Sequence, residues 1–313
     1  MSVDTRVRVG SVELRNPVMT ASGTAGYADE LAPFVDLAQL GAVVIKSLAA
    51  FEWPGNAAPR LYPTPQGMLN AVGLQGPGIA HWLDHDLPRL VAHGATIVAS
   101  IWGRTIDDYR QAADLLAAAP GEVVAVEINL SCPNLASVGG GGGGAGGGHA
   151  MFAHDSELAA AVVAATEGCG RPRWAKLSPN TDRLVDVAAA VHAAGADAVT
   201  LINTVLGMVV DPATRRPSLG AGGGGLSGRA IHPVAVRAVH DVRRACPDLP
   251  IVGVGGVANG WDAAELLIVG ADAVQVGTAT FEDPAAPRKV LDGLVSWAEG
   301  AGIRHLADLG ALA

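Results

Sequence analysis

Two of the three lysines in this sequence lie within apolar segments, where a charge is costly to bury. Lys46 belongs to the run AVVIKS (42–47) and Lys176 to the run RWAKLS (173–178). The other 18 of the 21 basic residues are arginines, so the chain rarely uses lysine as ordinary surface charge. A lysine in an apolar strand end is stable only when it meets a negative charge. The pattern therefore predicts that both lysines face anionic groups in a functional site.

The segment NLSCPN (129–134) concentrates two amides and a thiol at a strand end that a proline stops. Cys132 is a candidate general base or nucleophile, provided that its thiol is ionised or has a partner that accepts its proton. A buried structural thiol is the alternative reading. Cys169 and Cys246 lie at helix ends (EGCG and RACP) and are expected to be inert.

Glycines follow the last two apolar runs, in VGVGG (252–256) and VGT (276–278). Backbone N–H groups approach an anion closely where no Cβ intervenes, so these glycines indicate a phosphate site. The match of 253–258 to the dinucleotide pattern GxGxxG/A is weak alone, and it comes late in the chain. A mononucleotide phosphate explains it better. The spacings of His and Cys predict no metal site, and no G-x-S-x-G hydrolase motif occurs.

The composition excludes several classes of function. The 313 residues are 16 % charged and 50 % hydrophobic, with a net charge of −9, so neither disorder nor a basic surface for nucleic acid or anionic lipid is expected. Three cysteines fit a reducing compartment, which predicts a cytoplasmic protein. No signal peptide or transmembrane run is visible.

Eight nearly continuous apolar runs alternate with eight stretches of helical spacing, which predicts parallel strands joined by helices. Eight such units in 313 residues favour an α/β fold of the (β/α)8 TIM-barrel type, formed as a single domain over 1–313. A doubly wound open sheet is the alternative. The segment VRVGSVEL predicts a short N-terminal β-hairpin. Helices are expected at 29–41, after the capping pair Thr105 and Asp108, and after the N-cap Asp155.

Polar residues follow nearly every apolar run, and in a barrel these positions form one rim, where active sites lie. The stretch at 139–148 contains nine glycines in ten positions. It predicts either a flexible surface loop or an active-site lid over 135–154.

The sequence resembles the dihydroorotate dehydrogenase family from about Leu14 to Phe281. Cys132 favours class 1, and the run LNAVGLQ favours class 1B. The blocks that carry the resemblance, in order, are KS (46–47), LNAVGL (69–74), NLSCPN (129–134), KLSPN (176–180), NT (203–204), GGLSGRAI (224–231), VGVGGV (252–257) and VGTA (276–279).

The resemblance implies an FMN-dependent barrel enzyme that oxidises dihydroorotate to orotate in pyrimidine biosynthesis. Cys132 would take the C5 proton while a hydride passes to the flavin, and Lys46 would meet both the substrate carboxylate and the flavin. The residues that it places around the substrate are Lys46, Asn70, Ala71, Val72, Gly73, Leu74, Asn129, Asn134, Asn203 and Thr204.

The resemblance also implies the FMN site, with Lys176 beside the flavin N1–C2 carbonyl and Gly255, Gly256, Gly277 and Thr278 near the phosphate. The full set of implied FMN residues is Ser22, Lys46, Ser47, Ser100, Asn129, Lys176, Ile202, Gly228, Gly255, Gly256, Gly277 and Thr278.

Class 1B proteins pair with a second subunit that holds FAD and an iron–sulfur cluster, and class 1 relatives are usually homodimers. The chain departs from the family at Ser100, where asparagine is usual, and in its longer, glycine-rich segment after Asn134. These departures leave open an alternative function, the FMN-dependent oxidation of another cyclic amide or dihydropyrimidine.

Overall fold

Eight parallel strands form the centre of the computed structural model, which describes residues 3–130 and 151–309. Each strand pairs with a neighbour, and a parallel bridge between Met19 and Ala42 joins the first strand to the second, so the sheet closes into a barrel. The predicted (β/α)8 fold is thereby confirmed. The strands, labelled β1 to β8 in chain order, are Val18–Thr20, Val43–Val44, Ile97–Ile101, Val123–Asn129, Arg173–Leu177, Ala198–Leu201, Ile251–Val254 and Ala273–Val276.

Nine α-helical segments are described, and most of them pack against the outside of the barrel. The first two are the ends of one continuous helical stretch, joined by the π-helical turn Trp82–Asp86. The segments α1 to α9 are Ile79–His81, Leu87–Ala92, Ile106–Leu116, Ser156–Ala165, Leu184–Ala193, His232–Ala245, Gly260–Ile268, Ala279–Glu282 and Ala286–Gly300.

Two predicted helix starts are confirmed. Thr105 Oγ1 accepts the N–H of Asp108 at 3.1 Å, and the Asp108 carboxylate accepts the N–H of Thr105, which completes a capping box at α3. Asp155 accepts the N–H groups of Glu157 and Leu158 at the start of α4. Local capping therefore fixes where these two helices begin.

The helix expected at 29–41 is wrong. This segment forms turns and a single 3₁₀ turn, Leu37–Gln39, whose first residues are capped by Asp36. Pro33 stands in the middle of the apolar pattern, and a proline inside a helix removes a hydrogen bond and clashes with the preceding turn. The apolar spacing is nevertheless used, because Leu37 and Leu40 are buried in the core.

The predicted N-terminal hairpin is confirmed as Val7–Val9 paired antiparallel with Val12–Leu14. A second antiparallel sheet, here called the accessory sheet, was not predicted. Its strands, in hydrogen-bonded order, are Val205–Gly207, Gly224–Ser227, Gly67–Asn70 and Leu61–Thr64.

The barrel interior is polar near its C-terminal rim. The register sets Ser100 beside Glu127, and Lys176 beside both Asn129 and Thr200. Paired residues of neighbouring strands point to the same side of a sheet, so these buried polar groups share the interior. Within the two described ranges, no helix combines the length and the apolar character that crossing a bilayer requires.

Candidate active site

One cavity lies at the C-terminal ends of the barrel strands, where a (β/α)8 enzyme has its active site. It encloses about 1080 Å³, including the part that is open to solvent. The predicted site residues on its wall are Ser22, Lys46, Ser47, Asn70, Val72, Gly73, Leu74, Asn129, Lys176, Ile202, Asn203, Thr204, Gly228, Gly255, Gly256, Gly277 and Thr278.

Four predicted residues are not on the described wall of this cavity. Ala71 and Ser100 are fully buried behind it. Cys132 and Asn134 lie outside the described residues, as does most of the lid predicted over 135–154. Their roles stay predictions.

The loops after β7 and β8, together with Gly228 at the end of an accessory-sheet strand, form a cradle of backbone at one end of the cavity. Gly256 has φ +70° and Gly228 has φ +96°, conformations that side chains other than glycine rarely adopt. No described residue accepts a hydrogen bond from the N–H of Gly256, Gly277 or Thr278. Unpaired N–H groups at a cavity wall suit the oxygens of a phosphate.

His232, the first residue of α6, forms a hydrogen bond with the backbone of this cradle. The sequence analysis missed this residue. Its Nδ1 lies 2.8 Å from the carbonyl oxygen of Gly255, and its Nε2 lies 3.2 Å from a carboxylate oxygen of Glu265. Only the position of His232, just after the glycine-rich segment GGLSGRAI, could have signalled this role.

A chain of side-chain hydrogen bonds runs from the cavity into the barrel. Asn203 Nδ2 donates to Asn129 Oδ1 at 3.1 Å, and Asn129 Nδ2 donates to Ser47 Oγ at 3.1 Å. Ser47 Oγ lies 2.8 Å from Ser100 Oγ, which donates to Glu127 at 3.4 Å. These bonds fix how the two amides face the cavity, so the site is ordered before a ligand binds.

Lys46 brings a positive charge to the cavity wall. Burial lowers the pKa of its ammonium group, and the nearby Arg60 guanidinium lowers this pKa further. Its Nζ lies 5.4 Å from the centre of the Tyr27 ring, and no carboxylate among the described residues lies within ion-pair distance of it. A half-buried cation of this kind gains most from an anionic ligand.

The cavity also has apolar walls that the sequence analysis did not anticipate. Leu61 and Met68 come from the accessory sheet, whereas Ile231, Val254 and Phe281 come from the segments around β7 and β8. A planar ring system stacks well against such residues, while the amides and lysines bind its polar edge.

Cys169 is fully buried, and burial raises the pKa of its thiol, which agrees with the inert role expected for it. Among the described residues, no group of three or more His, Cys, Asp or Glu side chains could hold a metal ion.

A closed parallel barrel whose rim cavity combines a glycine cradle, two lysines and ordered amides defines a (β/α)8-barrel oxidoreductase of the flavin-binding class. The comparisons with known proteins then specify the family. Residues 5–297 match the family described as dihydroorotate dehydrogenase. The chain belongs to the dihydroorotate dehydrogenase family.

Its similar relatives are named dihydroorotate dehydrogenase B (NAD(+)), catalytic subunit. The protein from Trichlorobacter lovleyi is 44 % identical over 97 % of this chain and 96 % of its own length. The protein from Desulforudis audaxviator is 43 % identical over 99 % of this chain and 97 % of its own length. The protein from Bacteroides fragilis is 38 % identical over 98 % of this chain and 97 % of its own length.

FMN is the cofactor of this family, and the cavity residues fit it. The unpaired N–H groups of Gly256, Gly277 and Thr278 suit its phosphate, and the apolar wall suits its ring. Lys176, which is buried on the cavity wall, suits a group that becomes negative on reduction.

Replacing Gly256 with Ala should weaken FMN binding about tenfold, or about 1.4 kcal/mol, because an added side chain at this positive φ displaces the backbone that faces the phosphate. The new Cβ would also lie 2.7 Å from His232 Cβ and 2.8 Å from the carbonyl oxygen of Gly228. Fluorescence titration of the apoprotein with FMN measures the effect. Gly121→Ala is the matched control, since no atom lies within 4 Å of its added Cβ. Equal FMN affinities for the two variants would contradict the role of the cradle.

Proposed function

We propose that this chain is the catalytic subunit of an FMN-dependent enzyme that oxidises dihydroorotate to orotate. The observation that carries the proposal is the distribution of groups in one cavity. The glycine cradle lies at the β7 and β8 loops, while Lys46 and the amides of Asn70, Asn129 and Asn203 lie on the remaining wall. The similarity to relatives named dihydroorotate dehydrogenase B supports it over nearly the whole chain.

Orotate and dihydroorotate carry a carboxylate and a ring with several donors and acceptors. Lys46 binds the carboxylate, because its half-buried ammonium lacks an anionic partner among the described residues. Asn129 and Asn203 orient the ring, since their own hydrogen bonds fix the direction of each amide. Each amide keeps a second N–H and further acceptor capacity on its oxygen, which a ring with matching groups can use.

The oxidation removes a proton from C5 and a hydride from C6 of dihydroorotate. Cys132 accepts the C5 proton, a role supported by the family resemblance, and FMN supplies the hydride acceptor when it is bound. Lys176 stabilises the negative charge that reduction brings to its side of the cavity.

The electrons leave through a second subunit. The relatives are named catalytic subunits of an enzyme that uses NAD(+), and a name of this kind implies a separate electron-transfer subunit. By family resemblance, that subunit holds FAD and an iron–sulfur cluster. Homodimer formation and a cytoplasmic location stay predictions.

An anaerobic visible absorption spectrum of the purified protein, before and after addition of dihydroorotate, tests the proposal. We expect flavin bands that bleach. Flavin bands that persist would favour another cyclic amide or dihydropyrimidine as the substrate, which is the alternative that Ser100 and the glycine-rich segment raise. A protein that is colourless after incubation with FMN and removal of the unbound FMN would contradict the assignment as a flavoenzyme.

A further inference from the structure

A buried carboxylate inside the barrel, Glu127, has no part in the function proposed above. It is 0 % exposed and is absent from the cavity wall, whereas Lys176 is 4 % exposed and lies on that wall. The two side chains form an ion pair, with Lys176 Nζ 3.3 Å from Glu127 Oε1. The pair therefore places a negative charge directly behind a positive charge that faces the cofactor cavity.

The neighbouring groups surround the two side chains with hydrogen bonds. Glu127 Oε1 accepts from Lys176 Nζ and from Ser100 Oγ, and Glu127 Oε2 accepts from Gln275 Nε2 at 2.7 Å. Gln275 Oε1 accepts from Lys176 Nζ at 3.2 Å, and Ser22 Oγ does so at 3.0 Å. Since the Gln275 amide presents its N–H to the carboxylate and its oxygen to the Lys176 amino group, it fixes the relative positions of the two side chains.

A buried ion pair of this kind is poorly explained by stability alone. Removing two charges from water costs several kcal/mol, and apolar residues of similar volume often stabilise a fold as well or better. Breaking such a pair from one side is strongly destabilising, however, because it leaves a buried charge without its partner. The position of Lys176 at the cavity wall indicates what the pair does instead.

We propose that Glu127 is a positioning residue that fixes the Lys176 ammonium at the cavity wall and offsets part of its charge, and so limits how strongly the site favours reduced flavin. This inference rests on the proposed function, because it requires FMN in the cavity. Two-electron reduction adds negative charge to the flavin, which Lys176 stabilises and Glu127 opposes. A flavin that must pass its electrons on works best when its reduced form is not bound too strongly.

Glu127→Gln tests the proposal, because the variant keeps the shape of the side chain and removes its charge. At mildly acidic pH we expect the midpoint potential of bound FMN to rise. A shift of about tenfold in favour of reduced flavin corresponds to about 30 mV for a two-electron couple. Anaerobic reductive titration against a reference dye measures the potential without dihydroorotate.

A second variant separates electrostatics from structural damage. Glu127→Gln combined with Lys176→Met removes both charges and leaves no unpaired ion, so it should fold even if the single variant does not. Its potential should fall below that of the wild type, because the ammonium is the charge nearer to the cavity. A purely structural role would shift the single and the double variant in the same direction.

Glu122→Gln is the matched control, because Glu122 is exposed just before the same strand, β4, and should leave the potential unchanged. If Glu127→Gln with FMN bound has the same midpoint potential as the wild type at every pH, this inference is overturned and the proposed function stays intact. If the wild-type chain binds no FMN, the proposed function and this inference are both overturned.

Discussion

Replacing Cys132 with Ser should slow the reduction of bound flavin by dihydroorotate by about 10²–10⁴-fold at neutral pH, the usual contribution of a positioned general base. A cysteine thiol ionises at about pH 8.5, whereas a serine hydroxyl is a far weaker acid and remains protonated. The substitution changes one atom and keeps the shape of a slightly smaller side chain, so the effect reports mainly on proton transfer. Anaerobic stopped-flow absorbance of the flavin bands measures the rate.

Cys246→Ser is the control for this experiment. Cys246 is half-buried at the C-terminal end of α6 and does not line the cavity, so its replacement should leave the rate unchanged. Cys132 itself lies outside the described residues, so its assignment rests on the sequence and on the family resemblance. An unchanged rate for Cys132→Ser would remove Cys132 as the base.

The second large effect is expected at Lys46. Lys46→Met should weaken orotate binding about 10- to 100-fold, because hydrogen bonds to charged groups contribute about 1.5–3 kcal/mol. The methionine keeps most of the apolar side chain that is buried beside Tyr27 and removes the ammonium group. The shift of the flavin spectrum on titration with orotate measures the affinity.

The pH dependence of orotate binding should identify the same group. Burial and the nearby Arg60 lower the pKa of Lys46, so it loses its proton at a lower pH than an ordinary lysine does. Orotate affinity of the wild type should therefore be full below this pKa and fall as the pH rises through it. Lys46→Met should show no such decrease.

Lys289→Met provides the matched control, since Lys289 is exposed and pairs with Asp283 on the surface. It should keep both the affinity and the pH dependence of the wild type. An affinity for orotate that is unchanged in Lys46→Met would show that Lys46 does not bind the carboxylate.

The barrel was predictable because strands buried on both faces leave a simple trace in the sequence. The run TIVASI forms β3, whose five residues are all buried. The run RWAKLS forms β5, with Lys176 near its C-terminal end. Strand ends bounded by Ser, Asn, Lys or Gly marked the rim, because parallel strands carry their C-terminal ends to one side.

Two features of the fold could not be predicted from such patterns. The accessory sheet, which brings Asn70 and Leu61 to the cavity, is built from short strands that are partly exposed and include Pro63. The helix expected at 29–41 failed for the opposite reason, since its apolar spacing was strong but Pro33 prevents a continuous helix. At 29–41 the periodicity predicts the burial of Leu37 and Leu40, and it does not predict the backbone conformation.

Glu127 and Gln275 show the clearest limit of the sequence. Gln275 is the single polar residue of its strand and Glu127 shares its strand with Asn129, and a polar residue within an apolar strand was the only signal available for either of them. They are hydrogen-bonded to each other across 148 residues of chain, so neither strand by itself indicates the partner.

The sequence by itself determined the number of barrel strands, the side of the barrel that holds the site and the residue types available at its rim. These properties follow from local patterns of burial, which each strand and its end carry independently. The tertiary structure alone decided which polar groups meet: Lys176 with Glu127 and Gln275, Asn203 with Asn129, and His232 with the Gly255 carbonyl. Such pairs depend on the register between strands and on the closure of the barrel, and both are set by contacts between residues distant in the chain.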